Sequence, residues 1–350
     1  MIVGSKLLIA VGIVLPAVFF ACGDSDSGDS GGTTSATAAT QSTGTGGNTG
    51  TGSCIGTYFD SSLFRSLTSA TSKSCTLSDG SSTTCCTLVF SANQVDDDGP
   101  FCPETSSDDA SLGGLGNYDG TTGAGLQSLS KTLWDNMEAD GYDILDGTSV
   151  RVQTDVPGGG LVQGGSDFAY CLQPAADDTL TVTYSIPMTP VDGSSVDTID
   201  SVEDVGVSLD GIPFKGSPPS VVSNDGKIPS LDWCGGHHDP SGYYHWHFIP
   251  ESVDPILDGE GITVDCDHIT QDNDALFGFA KDGYPIYAMY DEGETSAPTD
   301  LDECGGHTSD TPNFGSVYHY HADSASDENE PVNIPSCLKG LSVERPSSVN

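Results

Sequence analysis

Positive charge is scarce in this 350-residue chain. Lysine and arginine number 10 against 51 aspartates and glutamates, which gives a formal net charge of −41. A protein that binds nucleic acid replaces counterions along the phosphate backbone with basic side chains. The composition therefore excludes nucleic acid as a partner, and an anionic membrane surface would repel the chain. The acidity itself suits solubility, salt tolerance or weak capture of cations.

Motifs of several common enzyme classes are also missing. The chain has no phosphate-binding glycine loop, dinucleotide fingerprint or complete Ser-His-Asp pattern, and its serines lie in no nucleophile-elbow context. Asp96-Asp-Asp-Gly99 offers oxygen ligands of the kind that calcium takes. It lacks the full spaced set of ligands, so an acidic turn is the favoured interpretation and a calcium site is the alternative.

The apolar stretch near the N-terminus is too short to span a membrane comfortably. It runs from Leu7 to Ala21, follows Lys6 and ends at Cys22. This pattern predicts a signal peptide over residues 1–22. The segment resembles the lipobox of bacterial lipoproteins, although Phe19 stands where leucine is more usual.

Cys22 is accordingly the predicted lipidation site, and simple secretion is the alternative. Both interpretations place the protein outside the cytoplasm, where thiols tend to be oxidised. Gly23, which replaces an aspartate at the sorting position, indicates the outer membrane by analogy with other bacterial lipoproteins. The expected location is therefore the bacterial cell envelope, with a lipid anchor in the membrane.

The next segments differ sharply in composition. Residues 23–53 are almost entirely Gly, Ser, Thr, Asp and Ala, which predicts a flexible tether. Residues 54–205 carry short β-branched and aromatic runs between turn signals, and are predicted to be a β-rich region with cysteines. One helix is expected from apolar spacing, ending at Gly141. Its predicted apolar face comprises Leu126, Leu129, Leu133, Trp134 and Met137.

An internal repeat marks residues 206–345. The stretch LDWCGGH at 231–237 recurs as LDECGGH at 301–307, and each precedes a histidine-bearing tetrad, YHWH and then YHYH. A DGxP turn and a downstream cysteine complete four landmarks offset by 70 to 74 residues. This order predicts a duplication with copies at about 206–270 and 278–340. The predicted fold is mainly β with few helices, stapled by disulfides and arranged as a pseudo-twofold pair.

The cysteine count fits that fold. Without Cys22, ten of the eleven cysteines remain, an even number that allows up to five disulfides. Cys266 lies 32 residues after Cys234, and Cys337 lies 33 after Cys304. Of the three ways to join these four cysteines, the matched intervals favour Cys234 with Cys266 and Cys304 with Cys337. The pairing of the N-terminal cysteines is left open.

These ordered motifs resemble the YHYH family. The resemblance is carried by the DGxP turns, the DxCGGH stretches, the tetrad at 318–321 and the segments DGPFCP at 98–103 and IPMTP at 186–190. It extends from about residue 75 to residue 340. The family is named for its motif and implies no particular reaction. Trp246 departs from the pattern, because it replaces the second tyrosine of the first tetrad.

The histidines suggest the chemistry. All eight lie between positions 237 and 321, and residues two apart on a strand point to the same side. Two such imidazoles and a third from a Gly-Gly turn make a three-nitrogen set that suits copper or zinc. Asp232 and Asp302 are predicted to orient a ligand by hydrogen bonding. The predicted ligand sets are His237, His245 and His247 in one copy and His307, His319 and His321 in the other.

Three hypotheses follow. The favoured one is a surface-anchored module that binds copper or zinc for capture, storage or stability. The second is a metalloenzyme, oxidative with copper or hydrolytic with zinc, which needs an open coordination position and a pocket. The third is a metal-free adhesion or structural module of the envelope, in which the histidines are hydrogen-bonded within a β core. His238 and His268, which have no counterpart in the other copy, are interpreted as structural or surface residues.

Overall fold

The computed structural model describes most of the chain after residue 52. All of its elements belong to one compact unit, Asn48–Asn350. The signal peptide, Cys22 and nearly all of the tether lie outside the described residues, as does Asp96-Asp-Asp-Gly99. Within the described part, no helix has both the length and the apolar character needed to cross a membrane. The described residues are 53–93, 102–103, 105–107, 113–154, 171–173, 176–200, 203–218, 220–223, 228–239, 241–264, 266, 272–322 and 335–350.

The described part is mainly β, as the sequence predicts. Two α-helices accompany the strands, α1 (Lys131–Ala139) and α2 (Pro250–Glu260), with one 3-10 turn at Ser61–Leu63. The strands are β1 (Ser69–Thr76), β2 (Ser82–Ser91), β3 (Leu115–Tyr118), β4 (Gly125–Ser128), β5 (Leu145–Asp146), β6 (Ser149–Val150), β7 (Val152–Thr154), β8 (Cys171–Gln173), β9 (Thr181–Pro187), β10 (Asp192–Thr198), β11 (Asp204–Ser208), β12 (Pro213–Lys215), β13 (Gly236–His238), β14 (Tyr244–Trp246), β15 (Leu276–Ala280), β16 (Pro285–Tyr287), β17 (Gly306–Thr311), β18 (Gly315–His321), β19 (Cys337–Gly340) and β20 (Ser347–Val349).

An eight-stranded sheet contains both copies of the repeat. Its order is β13-β14-β12-β11-β15-β16-β18-β17, so the second half mirrors the first about the antiparallel pair β11 and β15. At that centre Val207 lies opposite Phe279. The two hairpins that carry the tetrads therefore occupy the opposite ends of the sheet. This order is what two like units related by a twofold axis would give, and the duplication itself stays a prediction.

A four-stranded sheet, β1-β2-β9-β20, packs against the centre of the larger one. Phe90 and Ile186 from this sheet share a buried core with Val207 and Phe279. Strand pairing also crosses the predicted boundary at residue 206, because β9 pairs with β20 and β10 pairs with β19. The N-terminal and C-terminal regions consequently share sheets.

The predicted helix begins later than its apolar spacing suggests. Leu126 lies in β4 and Leu129 precedes the N-cap, Ser130, while Leu133, Trp134 and Met137 form the buried face of α1. Gly141 adopts a φ of +95° just after the helix, where a left-handed residue commonly ends a helix. The end was therefore predicted correctly, but the start was wrong because the first two leucines continue the core from a neighbouring strand.

All ten cysteines of the folded part pair. The predicted disulfides Cys234–Cys266 and Cys304–Cys337 are both present. The bridges whose partners the sequence left open are Cys54–Cys86, Cys75–Cys85 and Cys102–Cys171. The expectation of a disulfide-stapled β fold is confirmed.

Candidate metal centres

Strand alternation assembles the first histidine set, which we call the first centre. His237 of β13 lies directly opposite His245 of β14. His247, two residues further along, projects from the same side of the chain because side chains alternate in a strand. The three Nε2 atoms approach within hydrogen-bond distance: His237 to His245 at 3.1 Å, His245 to His247 at 3.1 Å and His247 to His237 at 3.2 Å.

Backbone carbonyl groups fix two of these imidazoles. Nδ1 of His237 lies 2.8 Å from the Ser230 carbonyl oxygen, and Nδ1 of His247 lies 2.6 Å from that of Gly216. A carbonyl oxygen only accepts, so each Nδ1 must carry the proton and donate it. A neutral imidazole has a single N–H, which leaves Nε2 of His237 and His247 as bare lone pairs facing each other. A cation between the two nitrogens would accept both lone pairs and remove their mutual repulsion.

The second centre repeats the arrangement at the other end of the sheet. His307 of β17 lies opposite His319 of β18, and His321 follows two residues later. Nε2 of His321 lies 2.9 Å from that of His319 and 3.2 Å from that of His307. Asp291 joins this cluster, which consists of three imidazoles and one carboxylate.

Asp291 points one oxygen at all three imidazoles. Its Oδ1 lies 3.2 Å from Nε2 of His307 and 3.6 Å from Nε2 of both His319 and His321. Ser309 Oγ donates to the same oxygen at 2.6 Å. The carboxylate therefore occupies a fourth corner above the three nitrogens.

Every Nδ1 atom of the second centre faces an acceptor, which again places the lone pairs on Nε2. Metal-bound histidines in proteins usually donate their other N–H to a carbonyl or carboxylate group in this way. The acceptors are Asp300 Oδ1 for His307 at 2.9 Å, the Val317 carbonyl oxygen for His319 at 3.1 Å and the Ala288 carbonyl oxygen for His321 at 2.7 Å.

Burial keeps these imidazoles neutral. It lowers the pKa of His237 and His321 to about 4, and it lowers the pKa of His245, His247 and His319 below the usual histidine value. Neutral imidazole is the form that binds a metal ion. These five imidazoles are thus in their binding form at neutral pH.

Asp291, in contrast to these imidazoles, is ionised. Burial acts to raise the pKa of its carboxyl group, but the hydrogen bond from Ser309 and the neighbouring His307 outweigh it and lower the pKa. The Asp291 carboxylate is therefore ionised, and the pKa values of the adjacent His319 and His321 are lowered.

The nitrogen spacing fits a tetrahedral ion. Zinc bonded to imidazole at about 2.05 Å holds two ligand nitrogens about 3.3 Å apart. The three Nε2–Nε2 distances of the first centre are 3.1 to 3.2 Å, and the two from His321 in the second centre are 2.9 and 3.2 Å. Both clusters can thus hold a metal ion with little movement, and imidazole donors suit copper as well as zinc.

The Gly-Gly turns deliver the third histidine of each centre. In the first copy, Gly235 has a φ of +90°, a conformation that glycine adopts without strain. A Cβ on Gly236 would lie 2.3 Å from the hydroxyl oxygen of Tyr244. The first glycine therefore permits the turn and the second permits the tyrosine to approach. Gly305 and Gly306 show the same two properties.

Asp232 and Asp302, predicted to orient a ligand, brace these turns. Asp232 Oδ1 accepts from the backbone N–H groups of Cys234 and Gly236 at 2.9 and 3.0 Å, and Oδ2 accepts from the Tyr244 hydroxyl group. Asp302 has the equivalent contacts with Cys304, Gly306 and Tyr318. Through these contacts each aspartate acts on His237 or His307 by way of the backbone.

The tyrosines of the tetrads face away from the histidines. Tyr244, Trp246, Tyr318 and Tyr320 all belong to one buried core. The Tyr320 hydroxyl group donates to Asp282 at 2.7 Å. In the first copy Trp246 stands at this position, and Asp210, the counterpart of Asp282, instead lies 3.4 Å from Arg65. Trp246 thus changes the packing behind the sheet and leaves the histidine face intact.

The other histidines differ from the six in the centres. His238 is buried, and its ring meets that of Tyr244 edge to face at 5.4 Å, which agrees with a structural role. His268 lies outside the described residues. Asp291 and Asp300 were not among the predicted site residues. The residue 72 positions before Asp291 is Pro219, so comparing the two copies gives no signal for this ligand.

An acidic groove borders the second centre. It has a volume of about 470 Å³, and the carboxylates of Asp291, Glu292, Glu294, Asp300 and Asp310 line it. Its lining residues include no lysine or arginine. A negative groove of this kind raises the local concentration of cations and leads directly to the Asp291 carboxylate.

Comparisons with known proteins agree with the motif. No curated protein and no solved structure matched the chain. A family model described as "YHYH protein" matches residues 183–299, a range that contains the whole first centre and Asp291 and ends before His307. The predicted resemblance is thereby confirmed over residues 183–299, and its extension to about residue 75 and to residue 340, with the tetrad at 318–321, stays a prediction.

Proposed function

We propose that this protein is an extracytoplasmic lipoprotein that binds copper or zinc at two histidine centres. The observation that carries the proposal is the convergence of unprotonated nitrogens in both centres. His237 and His247, whose Nδ1 atoms donate to carbonyl oxygens, point their Nε2 lone pairs at one another at 3.2 Å. In the second centre, three such nitrogens and one carboxylate oxygen meet.

A metal-free structural role fits this arrangement poorly. Buried polar atoms in a scaffold are normally satisfied by a complementary donor or acceptor. Here acceptors face acceptors, and both centres lie at the ends of one sheet where strand register holds them in place. Capture, storage or structural stabilisation by a bound ion are the roles that suit such preformed sites.

The metalloenzyme alternative is favoured by one observation, the groove of about 470 Å³ beside the second centre. A catalytic zinc site usually has three protein ligands and keeps the fourth position for water or substrate. Asp291 supplies a fourth ligand at this centre, which is typical of a site that holds its ion. Binding is therefore the preferred function.

The direct test is metal analysis of the full chain. After loading with excess Zn²⁺ or Cu²⁺ and desalting at pH 7, we expect two equivalents per chain by elemental analysis. Binding should persist as the pH falls through 6.5 and be lost near 4, where His237 and His321 take up protons. A chain that retains no stoichiometric metal at pH 7 would overturn the proposal in favour of a structural module.

We also propose that Cys22 anchors the chain in the bacterial envelope, because it follows the apolar stretch Leu7 to Ala21. Cys22→Ala should move the protein from the membrane fraction to the soluble fraction, since the lipid would no longer be attached. Fractionation followed by immunoblotting measures this. Unchanged membrane association of the variant would refute lipidation at this cysteine.

A further inference from the structure

The two centres differ in the charge that the protein supplies. Asp291 places a carboxylate oxygen 3.2 to 3.6 Å from the three nitrogens of the second centre. A second carboxylate, Asp300, accepts from His307 at 2.9 Å. Asp300 is 75% exposed, so that its charge is largely screened by solvent, whereas Asp291 is 26% exposed. Asp291 therefore supplies one negative charge directly at the second centre, which offsets part of the charge of a divalent ion.

The first centre is an all-imidazole cluster among the described residues. Lys215 is close enough to His245 and His247 to act on them electrostatically, and it forms an ion pair with Asp204, so the pair adds little net charge. A divalent ion here would keep nearly all of its charge in a buried site, which costs more free energy than burying a univalent ion.

The two centres also differ in the hydrogen bonding of their histidine ligands. In the second centre all three Nδ1 atoms are held by acceptors, so no imidazole can turn an N–H toward its neighbours. In the first centre Nδ1 of His245 is buried and has no hydrogen-bond partner within the described part of the chain. His245 can therefore carry its proton on Nε2 and donate it to His237 or His247, which satisfies the cluster partly without metal.

From these differences we infer that the centres select ions of different charge. Asp291 makes the second centre the tighter site for a divalent cation, whereas the first centre binds a divalent cation less tightly and favours the soft univalent cation Cu(I). This inference rests on the proposed function, because it assumes that both centres bind metal. Imidazole is a good ligand for both copper and zinc, so the discrimination arises from charge and not from the donor atoms.

Variants that keep one centre at a time provide the test. His245→Ala with His247→Ala leaves the second centre, and His319→Ala with His321→Ala leaves the first. Co²⁺ absorption with a competing chelator reports divalent affinity, and anaerobic Cu(I) titration against a chromogenic ligand reports univalent affinity. We expect the ratio of Co²⁺ affinity to Cu(I) affinity to be at least about 100-fold higher at the second centre.

Asp291→Asn separates charge from ligand geometry. This variant keeps an oxygen in place and should weaken Co²⁺ binding at the second centre about 10- to 100-fold, while Cu(I) affinity at the first centre stays within about twofold. Glu292→Gln is the matched control, because Glu292 lines the same groove but is not part of the cluster. It should change Co²⁺ affinity by less than about threefold, since an exposed charge is largely screened.

The outcomes are distinguishable. If the parent chain binds neither ion, and the single-centre variants also bind neither, the proposed function itself fails. If both centres bind but show equal preferences, or if Asp291→Asn behaves like Glu292→Gln, only this inference is overturned. Where a double alanine variant does not fold, His237→Gln and His307→Gln provide milder single-centre knockouts, with near-ultraviolet circular dichroism as the check of folding.

Discussion

Replacing His319 and His321 together with alanine is expected to lower the zinc or copper bound by the full chain from two equivalents to one. These two residues supply two of the three nitrogens of the second centre. The remaining His307 and Asp291 form too small a ligand set for a tetrahedral ion. Elemental analysis after desalting and isothermal titration calorimetry both measure the loss.

His238→Ala is the matched control for this experiment. His238 neighbours a ligand on β13, but its ring contacts Tyr244 at 5.4 Å and not a centre. This variant should retain two equivalents. If the double variant also retains two equivalents, or if His238→Ala loses one, the ligands have been assigned incorrectly.

Substitution of Glu251 is expected to remove a large pH dependence of stability. Glu251, in the first turn of α2, is 2% exposed, and neither carboxylate oxygen has a hydrogen-bond partner among the described residues. Burial raises the pKa of this group from 4.5 to about 8. Between pH 4.5 and about 8, Glu251 therefore keeps its proton in the folded protein but loses it in the unfolded chain.

The direction in which stability changes with pH follows from proton linkage. The stability contributed by the protonated group is fully present below pH 4.5 and is lost as the pH rises through about 8. At about 1.4 kcal/mol per pKa unit, the free energy of unfolding should fall by up to about 5 kcal/mol over this range. Glu251→Gln and Glu251→Ala should both lack this decline. Urea unfolding of the metal-free protein at pH 5 to 9 measures it, and parallel pH profiles for parent and variants would contradict the prediction.

The histidine triads could be predicted because they depend on strand alternation alone. His245 and His247 are two residues apart, and β-structure places them on one side whatever surrounds the hairpin. The third histidine follows from the turn, in which Gly235 must adopt a positive φ. The Cys304–Cys337 disulfide could also be predicted, because two similar units are expected to have bridges that enclose similar numbers of residues.

Asp291 was missed because its position is set by tertiary structure. It lies nine residues after Asp282 of the DGxP turn, and the residue nine positions after Asp210 in the first copy is Pro219. The acceptors of His247 and His321 are backbone carbonyl groups. Every residue has such a group, so no residue type in the sequence can indicate which carbonyl will meet a given imidazole.

Tertiary structure also limits what the sequence predicts about the two helices. Leu126 has helical spacing with Leu133 but pairs in β4, because strand pairing with β3 overrides a weak helical preference. The second helix, α2, has Pro250 at its start and Pro255 within it. Proline is tolerated in the first turn of a helix but usually breaks its interior, so this segment lacks a clear helical signal.

The order of the cysteines along the chain bears on how the bridges form. Three of the five, Cys102–Cys171, Cys234–Cys266 and Cys304–Cys337, join cysteines that are consecutive in the chain. No other cysteine lies between the two members of each of these pairs, so each bridge can close without competition from an intervening thiol. The remaining four cysteines pair in a nested way, with Cys75–Cys85 inside Cys54–Cys86. We therefore expect thiol–disulfide exchange to correct a premature bond chiefly in this N-terminal segment, and less around the two metal centres.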